Sequence, residues 1–175
     1  MLNKDKLTAM IITIAFSLFF TLKSYAAEPL ISVDWLKSNL SNEKLIILDI
    51  RNKIDGGSKD AFEVSHIPTA VYSNYLEDGW RTTVDGIVGK LPPLKDLEIL
   101  IGGLGINNDS QVIVVPGGVS STDFGSAARV YWTFKVLGHN NVSILDGGYA
   151  AWIQQLPSQL ESGVSNPKTA IFKTD

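Results

Sequence analysis

Three consecutive hydroxyl side chains, Ser120, Ser121 and Thr122, run into Asp123 between an apolar stretch, Val112–Val115, and a helically periodic segment that carries Arg129. In a parallel α/β protein such a junction sets backbone N–H groups and a helix N-terminus at the carboxyl end of a strand, where ligands bind. Two chemistries are open to it. A serine hydroxyl becomes a nucleophile only beside a base that takes its proton, and none lies within local sequence reach, so turn and cap roles suit Ser120, Ser121 and Thr122 better. Anion binding at the N-terminus of a helix starting near Phe124 is the second. Asp123 opposes it: as N-cap its carboxylate would bond those same N–H groups, and no lysine or arginine falls between Val112 and Ala128. The strand itself ends on Pro116, which has neither a nucleophile nor an N–H, followed by Gly117 and Gly118.

The rest of the chain adds little reactive chemistry. It has no cysteine, which removes every thiol mechanism and every cysteine-based metal site. Its two histidines, His66 and His139, lie in unrelated contexts, and no His-Glu-x-x-His or paired-carboxylate motif occurs, so neither a metal nor another cofactor is expected. The first 26 residues read as a secretory signal: Lys4 and Lys6 precede a 16-residue apolar run, Leu7–Leu22, and Ser24-Tyr25-Ala26 offers small residues for cleavage before Ala27. The run is shorter than the ~20 residues that span a bilayer, so cleavage after Ala26 and membrane contact only during export, to a periplasmic destination, are expected, with an uncleaved anchor as the alternative. Setting aside Lys4, Lys6, Lys23 and Asp5 leaves 12 basic against 17 acidic residues, a net charge of −5. An acidic surface of that kind does not suit nucleic acid.

Apolar periodicity lays out the elements. After a short extended piece, Ser32 caps a helix whose Val33, Leu36 and Leu40 recur at helical spacing. Lys44–Arg51 is a continuous apolar run, as expected of a parallel strand covered on both faces. A helical turn breaks at Pro68 before another short strand. Leu76–Pro93 is rich in glycine and turn formers and reads as a long surface excursion. A helix starting near Pro93 stops at glycine, Gln111–Val115 is the next buried strand, and a long helix ends at Gly138. Val142–Gly148 gives a last strand and turn, followed by a closing helix through Leu156. Strands alternating with helices imply an α/β domain with a mostly parallel central sheet and helices on both faces. Residues 157–175 lose periodicity and have the composition of a linker-like tail.

Four segments stand in an order that resembles the rhodanese-like, or thiosulfate sulfurtransferase, family: Leu48-Asp49-Ile50-Arg51, Ser65–Ala70, the strand, loop and helix Val112–Leu137, and Leu145–Trp152 with Gly147-Gly148. The resemblance runs from about Leu30 to Leu156, within a domain read as residues 27–156, and the chain is most similar to the N-terminal, non-catalytic half of two-domain enzymes. The resemblance implies a strand-end cysteine whose thiolate accepts a sulfane sulfur as a persulfide and passes it to cyanide or a thiol; Pro116 holds that position here. It makes Asp49, Arg51, His66, Arg129, Gly147 and Gly148 framework, with Arg129 expected in a buried ion pair. Trp35, Trp132 and Trp152 are read as core or near-core. Trp35, with Leu36 second, is also the candidate contact with a catalytic half. The expected function is an exported, catalytically silent supporting half. Its partner would be a cysteine-containing rhodanese domain, encoded downstream or on a separate chain. A stand-alone module for a small sulfur anion or a protein is the other reading.

Overall fold

The computed structural model describes residues 27–174; the leader read at residues 1–26 lies outside the described residues, as does Asp175. In chain order the elements are β1 (Leu30–Ile31), α1 (Val33–Asn39), β2 (Leu45–Asp49), α2 (Lys59–Val64), β3 (Val71–Tyr72), β4 (Thr82–Val84) and β5 (Ile87–Lys90). They continue with α3 (Leu94–Gly103), β6 (Gln111–Val115), α4 (Ser121–Val136), β7 (Val142–Leu145) and α5 (Gly148–Gln155). Five strands form one parallel sheet in the order β1-β7-β6-β2-β3. The central strands are buried along almost their whole length because helices cover both faces.

Alternation along the strands sends neighbouring residues to opposite faces. Ile47, Ile113, Val115 and Leu145 meet Val33 and Leu36 of α1, Phe62 of α2 and Trp152 of α5. Leu48, Val112, Val114 and Ile144 meet Leu97 and Ile101 of α3 and Val130 and Phe134 of α4. Ser32 caps α1 as its position predicts, accepting from the Trp35 amide at 3.1 Å.

Three sequence expectations change. The excursion after β3 is built rather than loose: Trp80 is buried in the α4-side core with its indole N–H on Ser73 Oγ, and Thr82–Lys90 form the antiparallel ribbon β4–β5. Trp132 is not core; it lies on the outer face of α4, while Trp152 is fully buried. The linker-like tail is strapped to the domain. Glu161 exchanges backbone hydrogen bonds with His66, the Ala170 amide donates to Gly102 O, and Phe172 is buried against Phe134 and His139. Composition could not show this, because each attachment is made by backbone or by one side chain far away in sequence.

Candidate functional site

Val115 ends β6 beside Asp49 of β2, so the loop that follows opens at the carboxyl edge of the sheet, at the point the strand-loop-helix pattern marks. Helix α4 starts at Ser121, three residues before the expected Phe124, because Ser120 and not Asp123 is its cap: Ser120 Oγ accepts from the Asp123 amide at 3.2 Å. Asp123 thus stands on the first turn of α4 with its side chain turned back into the loop. Its Oδ1 accepts from the Gly117 amide at 3.0 Å, and its Oδ2 from the amides of Gly118 at 2.5 Å and Val119 at 3.0 Å. The carboxylate is buried and holds three converging N–H groups of the loop, an arrangement that would otherwise cradle an external anion.

The carbonyl side of the loop is also taken up. The amides of Tyr149 and Ala150, at the start of α5, donate to Pro116 O at 2.8 Å and Gly117 O at 3.0 Å. The approach is so close that Gly118, at φ +80°, leaves no room for a Cβ against Gly147 O, and Gly148, at φ +58°, none against Pro116 O. Gly147 and Gly148 therefore clamp the loop to α5. A cavity of about 210 Å³ remains beside it, lined by Pro116, Gly118, Ser120, Asp123, Phe124 and Leu145 together with the two glycines.

The hydroxyls have no catalytic setting. Ser121 and Thr122 are exposed on the first turn of α4, Ser120 is engaged as the cap, and among the described residues none of the three is hydrogen-bonded to a histidine or a carboxylate. Both histidines are buried elsewhere. His66 stacks on Phe62 at 4.0 Å and places Nδ1 2.7 Å from Phe62 O. His139 packs against Phe134 and Phe172, and burial holds its pKa below the ordinary value. Among the described residues no group of three or more potential ligands could hold a metal ion.

Asp49 and Arg51 form a buried pair below the loop, Arg51 Nε to Asp49 Oδ2 at 2.9 Å. Arg51 Nη2 donates to Ser65 O at 2.8 Å, its guanidinium lies 3.8 Å from the Tyr149 ring centroid, and Tyr149 Oη bonds Ser65 Oγ. These contacts join β2, the turn after α2 and α5 beneath the loop. Burial pushes the Asp49 carboxyl above its ordinary pKa, and the charge of Arg51 works against that rise. Arg129 departs from its expected role: no carboxylate pairs with it among the described residues, and Nη2 instead donates to Gly89 O at 2.9 Å on the ribbon.

Asp55 is the site residue that the sequence reading passed over. It follows Arg51 in a tight turn, accepting from the Gly57 amide at 2.7 Å and the Asn52 amide at 3.2 Å, and it packs directly on Gly117. Burial, with the nearby charge of Asp123, pushes its pKa up to about 6. The Asn52-x-x-Asp55-Gly56-Gly57 pattern was a legible turn signal, but nothing local says that the turn abuts residues 60 positions away. A carboxyl with a raised pKa in the folded state favours folding most when protonated. The contribution is complete below about pH 4 and is lost as pH rises through 6. Asp55→Asn should remove that loss. Relative to wild type, its melting temperature is expected to climb between pH 4 and 6.5 and level off above; a difference independent of pH would contradict the burial that raises the carboxyl.

The parallel five-stranded sheet, with its strand-end loop clamped between two helix N-termini, defines a class of α/β domain built to present a strand-end group, here without a reactive one. Residues 32–155 match the rhodanese-like domain, and the chain belongs to that family. Among similar proteins, thiosulfate sulfurtransferase of Rattus norvegicus is 33% identical over 153 residues, covering 82% of this chain and 49% of that protein. The mitochondrial thiosulfate/3-mercaptopyruvate sulfurtransferase 1 of Arabidopsis thaliana is 35% identical over 129 residues, 72% of this chain and 32% of that one. In structure, the 3-mercaptopyruvate sulfotransferase SseA of Escherichia coli superposes with a TM-score of 0.69 at 24% identity, over 85% of this chain and 57% of that chain. The chain spans about half the length, or less, of the curated relatives it matches.

Proposed function

We propose that this chain is the non-catalytic supporting half of a sulfurtransferase, exported through its N-terminal leader to the periplasm and completed by a cysteine-bearing rhodanese domain. The observation that carries this reading is Asp123: the loop's N–H groups, which would face a persulfide or an oxyanion, are satisfied by a carboxylate of the chain itself. Pro116 in the nucleophile position and the lack of any cysteine agree with it. The filled loop weighs against the alternative of a stand-alone sulfur-anion module. Trp35 remains the candidate contact for the catalytic half. It is part-buried and borders a surface groove of about 240 Å³ together with Leu30, which is exposed; Leu36, the second candidate, is fully buried and is withdrawn.

The test is thiocyanate formation from thiosulfate and cyanide. The chain alone is expected to give no more than a heat-treated control. Adding a cysteine-bearing rhodanese domain encoded alongside it should give a rate above that domain's own, and no increase would count against the supporting role.

A further inference from the structure

His139 stands in the turn between α4 and β7, 5% exposed, and its buried Nε2 has no hydrogen-bond partner among the described residues. Two phenyl rings wall it in, Phe134 at 5.4 Å and Phe172 at 5.7 Å between centroids. Phe134 belongs to α4. Phe172 is the buried anchor of the C-terminal strap, residues 167–174.

The strap's other contacts are hydrogen bonds near the surface. The Ala170 amide donates to Gly102 O at 2.9 Å, Asn108 holds the amide and the carbonyl of Lys173, and the Thr174 amide donates to Glu98 Oε1 at 3.0 Å. Lys173 Nζ lies 3.5 Å from Glu98 Oε2. Bonds of this kind are readily exchanged for bonds to water, so the seat of Phe172 decides whether the strap stays down.

One wall of that seat can take up a proton. A neutral imidazole carries one N–H and an imidazolium two, so a second proton on His139 would set a charge and a donor without an acceptor between two phenyl rings. The charged group that acts on it is Lys135 of α4, of the same sign; the backbone of Asn141 and Ser110 faces it from the turns before β7 and β6. Burial, aided by Lys135 and opposed by those backbone groups, holds the ring's pKa below its ordinary value. Glu98 does not share this titration, because the Thr174 amide, Lys95 and Lys173 hold its carboxyl down at about 2. His66 meets the far end of the tail, with Nε2 3.9 Å from Glu161 Oε2, and a proton there would tighten that end.

We propose that the strap is an acid-released latch: a proton on His139 frees residues 167–174 from α3 and α4 and uncovers the Phe134 ring. Once Phe172 leaves, water reaches the imidazole and the proton is held with ordinary strength. The attached state is therefore favoured in full above about pH 6.5 and loses ground as pH falls below it. Through this one group the released fraction can rise at most ~100-fold by pH 4.5.

Amide exchange in the whole chain tests the proposal, read as protection factors so that the intrinsic effect of pH is removed. Between pH 7.5 and 4.5 the Ala170 and Lys173 amides are expected to lose at least ~10-fold of their protection, while Ile113 of β6 keeps its own. His139→Phe, which leaves a ring in the gap, and His139→Gln, which leaves a polar side chain, should each abolish the pH dependence. In wild type the ring resonances of His139 and Phe172 should move with one midpoint, a readout that requires no variant to fold. Protection at Ala170 that holds or rises on acidification overturns the proposal. So does a loss shared by Ile113, a loss that persists in a folded His139 variant, or two separate midpoints.

Discussion

Replacing Asp123 with alanine is expected to destabilise the domain by about 3 kcal/mol or more, although the residue lies in a loop-to-helix junction. The substitution leaves the amides of Gly117, Gly118 and Val119 without their acceptor. An unsatisfied buried donor costs about 1–3 kcal/mol, and hydrogen bonds to a charged acceptor are the stronger kind. Gly117 is buried and the other two amides are only part-buried, so water can recover part of the loss there but little at Gly117. For a domain of this size the expected drop in melting temperature is about 6–12 °C. Asp123→Asn keeps one acceptor oxygen and should fall between alanine and wild type. An alanine variant within 1 °C of wild type would show that the carboxylate does not hold the loop.

Arg51→Ala should cost about 3–5 kcal/mol, the range for removing one member of a buried ion pair. The loss has three parts, all visible in the contacts. Asp49 is left charged, buried and unpaired; Ser65 O loses its donor; and Tyr149 loses the cation stacked on its ring. Because burial already pushes the Asp49 carboxyl upward against Arg51, the variant should relieve itself by protonating. Its deficit relative to wild type is therefore expected to shrink as pH falls. Arg51→Lys keeps the charge but not the planar fork that reaches Asp49 and Ser65 O together, and should recover only part of the loss. Chemical denaturation of the three proteins at pH 7.5 and 5 measures both effects, and a deficit that grows on acidification would contradict the role given to Asp49.

The fold was legible in the sequence because its signals are local. Ser32 before Val33, the unbroken apolar runs of β2 and β6, and glycine after α3 each act within a few residues, and together they dictate alternating strands and helices. What failed was long-range. Nothing around Phe172 says that it fills a gap beside Phe134, and nothing around Trp80 says that the excursion carrying it folds back into the core. At the site, the idea that Asp123 supplies an internal negative charge could be reached from its position, but not which donors it serves. It bonds the loop behind it and leaves the capping of α4 to Ser120. Asp55 was missed because its contact with Gly117 depends on how β2 and β6 pair. For Arg129 the general rule that buried arginines are paired suggests a carboxylate; the structure supplies a carbonyl and a stacked indole instead, both reached through the fold rather than local sequence.

The account rests on one claim, that the loop after β6 is already liganded by its own carboxylate. The most direct measurement follows the ¹H and ¹⁵N resonances of Gly117, Gly118 and Val119 while thiosulfate is added to tens of millimolar at pH 7. The account predicts that the three amides keep their shifts, with no saturable change beyond that produced by the same ionic strength of sodium chloride. A saturable, thiosulfate-specific movement of these amides would show that the anion displaces Asp123 and that the seat is open.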